Sequence, residues 1–112
     1  MKIVTRKEFL KLPAETLFSY YEPCSFADLH IKVSDKNSGY DNDFLYDSII
    51  GPIFCQNSED FTNKCDEMEK GKSVKLDFEY TRREGLFEDE QLFAIYEKDD
   101  VIQLITRLNK LL

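Results

Sequence analysis

The stretch that most constrains this fold is QLFAIYE, residues 91 to 97. In an extended chain Leu92, Ala94 and Tyr96 point one way while Phe93 and Ile95 point the other, so both faces are apolar. A strand of that kind belongs inside a sheet with cover on each side. Upstream lies SVKLDFEY, residues 73 to 80, where Val74, Leu76, Phe78 and Tyr80 alternate with Ser73, Lys75, Asp77 and Glu79. That period of two predicts a strand with one face buried and one wet. The polar loop TRREGLFEDE joins the two runs, and together they are expected to form the hairpin at the centre of the core.

The remaining elements are arranged around that hairpin. Val4-Thr5-Arg6-Lys7-Glu8-Phe9 is a full helix-start signature: Thr5 caps the Glu8 amide, Glu8 reaches back to Thr5, and Val4 staples against Phe9. The helix should stop near Lys11, because Leu12 precedes Pro13. TLFSYYE, residues 16 to 22, is a predicted strand. Pro23 to Ala27 makes a hairpin connection, and residues 28 to 33 form a second strand with Leu29, Ile31 and Val33 inward and Asp28, His30 and Lys32 outward. Residues 44 to 50 read as a third strand, less sharply patterned, and Pro52 to Gln56 as a buried connection. Ser58 starts a helix whose Phe61, Cys65 and Met68 form an apolar stripe, with Gly71 as its left-handed terminator. A last helix begins at Lys98 or Asp99 and shows a wide apolar face through Val101, Ile102, Leu104, Ile105, Leu108, Leu111 and Leu112. The fold class is therefore α+β: an antiparallel sheet of four to five strands with about three helices, in the order α-β-β-(β)-α-β-β-α.

With 112 residues the chain is expected to form one domain, residues 1 to 112, without internal repeats or linkers. The 22 acidic residues outnumber the 15 basic ones, for a formal charge of -7, which disfavours direct nucleic-acid binding. Lys2, Arg6, Lys7 and Lys11 are the nearest thing to a basic patch and read as a solvated helix face. Cys24, Cys55 and Cys65 are an odd, widely spaced set beside one histidine, which argues against a disulfide framework or a zinc site. The opening MKIVTRKEF has no apolar core of signal-peptide length, and no run is long enough to span a bilayer. These readings point to a cytoplasmic protein with reduced thiols and no membrane partner.

Catalytic patterns are scarce. There is no glycine-rich phosphate loop and no nucleophile elbow, and any histidine dyad would have to use His30, expected here as a surface imidazole. Ser34 to Asp43 superficially resembles a calcium loop, but Tyr40 stands where the glycine should be and Tyr46 where the bidentate glutamate should be. The expectation is no cofactor, no metal and no enzymatic activity. The strongest candidate site is the loop Arg82, Arg83, Glu84, Leu86, Phe87, Glu88, Asp89 and Glu90, which sets two apolar residues between a basic pair and an acidic triad. An apolar anchor ringed by charge is a common interface design. Folding of Leu86 and Phe87 back over the end of the sheet is the competing reading.

The segments TRKEFLKLPAETLFSYYEPC and GLFEDEQLFAIYEKDDV resemble small uncharacterised proteins encoded by phages and prophages. That resemblance carries no assigned activity and implies a setting: the cytoplasm of a bacterial host, with a host or phage protein as partner. Its consequence is an acidic binding protein that inhibits a host factor, such as a defence complex, in the manner of an anti-CRISPR protein. One alternative is sequestration of a small molecule or nucleotide, with Tyr20, Tyr21 and Tyr40 for stacking and Arg82 and Arg83 for phosphate. An enzyme of unrecognised type is another. A homodimer is a further expectation if the 74 to 80 strand is a sheet edge.

Overall fold

A computed structural model describes residues 1–26, 28–34 and 42–112. The elements run β1 (Lys2–Thr5), α1 (Arg6–Leu10), β2 (Thr16–Glu22), β3 (Ser25–Phe26), β4 (His30–Ser34), β5 (Leu45–Ser48), α2 (Ser58–Glu69), β6 (Thr81–Arg83), β7 (Leu92–Ile95) and α3 (Lys98–Asn109). The strands make one antiparallel sheet in the order β1-β7-β2-β4-β5-β6, with the short β3 paired to β2. The class is α+β with three helices, as the patterning predicts, and the sheet has more strands than the expected four to five. The calcium-loop residues Asp35 to Asp41 and the stacking candidate Tyr40 lie outside the described residues.

β7 sits inside the sheet between β1 and β2, as its two apolar faces require. Its expected hairpin partner is elsewhere. Residues 73 to 80 form an irregular run that pairs with the 52 to 54 connection through the Ile53–Leu76 bridge, Phe54 N to Lys75 O at 2.8 Å and Asp77 N to Pro52 O at 2.7 Å. Gly51 is required at that crossing, since a Cβ there would lie 1.8 Å from Asp77 O. The strand proper is Thr81–Arg83, and it pairs with β5. TRREGLFEDE is too long for the two- to five-residue loops that close hairpins, so its chain is free to cross the sheet. From β6 to β7 it passes four strand spacings, about 19 Å, well within the ~26 Å reach of residues 84 to 91. The sheet edges are β1 and β6, and residues 74 to 80 are not among its strands. β1 itself was not expected: three residues ahead of a helix cap give too short a pattern.

The capping box of α1 is present, with Thr5 N donating to Glu8 Oε1 at 3.0 Å and Glu8 N to Thr5 Oγ1 at 3.2 Å. This five-residue helix cannot persist alone. It is held by Phe9, which is fully buried and stacks on Phe93 at 4.1 Å, with Phe18 at 4.7 Å and Phe44 at 4.9 Å. With Val4 and Ile95 these rings are the core.

β4 is inverted relative to its polarity pattern. His30 and Lys32 face inward and are buried, while Leu29, Ile31 and Val33 are half-buried. Lys32 Nζ donates to Phe9 O at 3.1 Å, Leu10 O at 3.2 Å and Leu12 O at 2.6 Å. These carbonyls lie at and just beyond the end of α1, where the helix ladder leaves acceptor capacity over, so the buried ammonium is matched to three acceptors. His30 lies among Phe18, Tyr20 and Tyr46, with Nδ1 3.3 Å from Ser48 Oγ. It is an interior imidazole, not a surface one. Burial, and then the nearby Arg82 guanidinium, hold its pKa below the ordinary 6.5, with Asp28 opposing.

Stability therefore depends on pH through His30. A base whose folded-state pKa is depressed binds its proton more readily unfolded, so its contribution is complete above 6.5 and is lost as the pH falls below that value. Equilibrium urea unfolding from pH 7.5 to 5 should show stability falling with acid, and His30→Gln should flatten that slope. An unchanged slope in the variant would assign the dependence to the carboxylates.

The outer helices depart from expectation in burial. α2 is capped by Asn57, whose side chain accepts from Asp60 N at 2.8 Å, one residue before the expected Ser58. Gly71 takes the expected left-handed conformation, φ 91. Cys65, expected to be buried on an apolar stripe, is half-buried, and Phe61 and Met68 are exposed. Phe54, expected inside, is exposed beneath Lys64 and Lys75.

Candidate interaction surface

The crossing segment after β6 is fixed at its base by charge. Arg6 of α1, expected on a solvated face, is buried and forms a two-point pair with Glu84: Nη1 to Oε1 at 3.0 Å and Nη2 to Oε2 at 2.8 Å. Two further donors go to Asn42, Nε to Oδ1 and Nη2 to the backbone O, both at 2.7 Å. Beside this pair the buried Asp43 accepts from Arg83 Nε at 2.5 Å and from Gly85 N at 2.9 Å. Glu84 also accepts from Leu86 N at 3.2 Å. One side of the loop is thereby tied to α1 and to the strand approaching β5.

The chain then turns sharply. Gly85 has φ 65 and Phe87 φ 55, both left-handed. Glycine adopts that region freely, whereas phenylalanine does so only where its surroundings hold it there. The turn leaves Leu86 63% and Phe87 37% exposed, with the Arg83 guanidinium 5.5 Å from the Phe87 ring centre. Glu88, Asp89 and Glu90 follow on the exposed rim. Asn42 Nδ2 donates to Asp89 Oδ1 at 3.2 Å, and the Gln91 amide to Tyr21 O at 3.2 Å, which fixes the far end to β2. An open groove of about 370 Å³ runs beside the loop, lined by Arg6, Lys7, Leu10, Asn42 and Asp89.

The eight residues read from the sequence therefore divide. Glu84 is a correction: it belongs to the interior, and its carboxylate faces Arg6 instead of solvent. Arg82 and Arg83 are not one basic patch, because neighbours in a strand point to opposite faces. Arg82 turns toward Tyr46 and Tyr80, 5.1 and 5.9 Å from their ring centres, and donates to Ser48 Oγ at 2.5 Å. Leu86, Phe87, Glu88, Asp89 and Glu90 remain together at the surface. What sequence reading missed are Arg6, Asn42 and Asp43, the supports of the loop. No local signal marks them, since each lies roughly forty or more residues from its partner.

The other polar cluster, Tyr20, His30, Tyr46 and Ser48, lies on the sheet face beside Arg82. Burial, with Tyr46 and Glu84 close by, pushes the Tyr20 phenol far above its ordinary range, so it stays protonated. Near this cluster Pro52, Ile53, Phe61, Tyr80 and Arg82 line a half-open cavity of about 320 Å³. Among the described residues no group of three or more His, Cys, Asp and Glu side chains is placed to hold a metal ion, and no helix is long and apolar enough to cross a membrane. No family model, curated protein or solved structure matches the chain.

Proposed function

We propose that this chain is a small acidic binding protein of phage type, acting in the cytoplasm of a bacterial cell without catalysis or cofactor. Its partner is a protein, and the consequence of binding is inhibition of a host factor such as a defence complex, in the anti-CRISPR manner. One observation carries the reading: an exposed Leu86–Phe87 pair on a loop anchored by a buried ion pair and rimmed by Glu88, Asp89 and Glu90. An interface gains most from apolar anchors that are already positioned, because less ordering entropy is lost on binding. The acidic rim speeds encounter with a basic partner surface. The phage setting rests on sequence resemblance alone.

The test is retention from bacterial lysate on the immobilised chain. Phe87→Ala combined with Glu88→Lys should reduce recovery of the principal retained protein at least tenfold, with the circular dichroism spectrum unchanged. Equal recovery would remove the loop from the interface. The cavity beside Arg82 favours a second reading, sequestration of a nucleotide, with Arg82 and Tyr80 as its contacts. That reading requires a rise in melting temperature with a nucleotide panel, because a ligand bound only by the folded state stabilises it.

A further inference from the structure

The polar cluster on the sheet face is built around one hydroxyl. Ser48 Oγ lies 3.3 Å from His30 Nδ1 and 2.5 Å from Arg82 Nη2, so an imidazole and a guanidinium share a single oxygen. They also share a ring, since the His30 ring centre and Arg82 Cζ each lie 5.1 Å from the centre of Tyr46. The two groups differ in exposure. His30 is 7% exposed, enclosed by Phe18, Tyr20 and Tyr46, whereas Arg82 stands on β6, whose residues are all exposed. Among the described residues no carboxylate forms an ion pair with Arg82. β6 is the end of the sheet and pairs with β5 alone.

We propose that His30, Ser48 and Arg82 form an acid-sensitive latch on β6: when the imidazole takes up a proton, Arg82 leaves Ser48 and the edge strand loosens from β5. A serine hydroxyl has one proton to give and two lone pairs, a neutral imidazole has one accepting nitrogen, and a guanidinium only donates. With His30 neutral, Ser48 accepts from Arg82 and gives its own proton to Nδ1. Protonation turns Nδ1 into a donor. Ser48 then loses its acceptor, and one neutral oxygen faces two cations. Arg82 reaches water by rotating outward, which the enclosed imidazole cannot do, so the guanidinium is the group that leaves. Burial and Arg82 already hold the imidazole below its ordinary pKa, the direction this competition requires. The other titratable groups around His30 are Tyr20 from β2, Tyr46 from β5 and Asp28 just ahead of β4, and of these Asp28 eases protonation. Lys32, two positions along the same strand, donates to the carbonyls at and after the end of α1, and Arg6 and Glu84, which act on Tyr20, are paired with each other. Thr81 to Asp47 and Arg83 to Asp43 still hold the ends of β6, so the strand loosens at Arg82 without detaching. β6 leads through Glu84 into the exposed Leu86–Phe87 pair, and an effect on binding rests on that loop being the interface.

NMR titration of the full chain from pH 7.5 to 5 tests the latch without a partner. The Arg82 Nε resonance and the Arg82 amide, which the register sets opposite Tyr46, should shift with the same midpoint as the His30 ring, while the Ala94 amide in the middle of the sheet stays in place. Protection of the Arg82 amide from hydrogen exchange should fall at least fivefold across that midpoint, and His30→Gln should abolish both changes. Coupling is reciprocal, so Arg82→Gln, at an exposed position, should raise the proton affinity of His30 at least threefold. An imidazole that stays neutral down to pH 5, Arg82 signals that do not follow it, or changes that persist in His30→Gln overturn the proposal. So does a His30 midpoint unmoved by Arg82→Gln. A midpoint that moves while Arg82 keeps its place in the parent reduces the pair to repulsion through space and overturns the latch as well.

Discussion

Glu84→Gln is expected to cost about 3–5 kcal/mol of folding stability, a large share of the 5–15 kcal/mol that holds a typical domain together. Glutamine fills the same space and still accepts from Leu86 N, but it leaves the Arg6 guanidinium buried with no counter-charge. Asn42 continues to accept two of its hydrogen bonds without neutralising it. The damage thus comes from a stranded charge, not from the net worth of the pair, which desolvation reduces. Arg6→Met in the Glu84→Gln background removes that charge, and the double variant should be more stable than Glu84→Gln alone. Urea midpoints at constant m-value measure both. A single variant that costs under about 1 kcal/mol, or a double variant whose losses simply add, would rule out the stranded-charge account.

Phe9→Ala is expected to cost a similar ~3–5 kcal/mol by a different route. The ring is wholly enclosed by Phe18, Phe44 and Phe93, so truncation leaves a cavity at the centre of the core. It also removes the main hold on α1, whose end and following turn supply the carbonyls that accept from the buried Lys32 ammonium. Leu86→Ala, at a position 63% exposed, should stay within about 0.5 kcal/mol of the parent. If the two substitutions prove equally costly, α1 is not the lid of the core, and the assignment of Leu86 to a binding surface weakens as well.

Local pattern made several elements legible. The Thr5–Glu8 capping box, the strand at residues 16 to 22, the left-handed Gly71 and the interior placement of residues 92 to 95 all follow from neighbours a few positions apart. The candidate loop was legible only as composition. Its apolar tip and acidic rim are local, whereas Arg6 lies 78 positions from Glu84 in the chain, and nothing at either site announces the other.

The division is clearest at β4. Alternation assigned His30 and Lys32 to water, because an isolated strand shows only which residue types share a face. The tertiary structure reversed them: the end of α1 and the residues after it place the Phe9, Leu10 and Leu12 carbonyls above that face, and three hydrogen bonds offset the cost of burying the Lys32 ammonium. The same holds for residues 73 to 97. Sequence by itself determined that residues 92 to 95 form a doubly covered strand, since covering both faces depends on side chains in that strand alone. Only the fold decided its neighbours, because strand pairing is settled by competition among distant edges, and there β1 and β2 flank β7 while the 73 to 80 run pairs elsewhere.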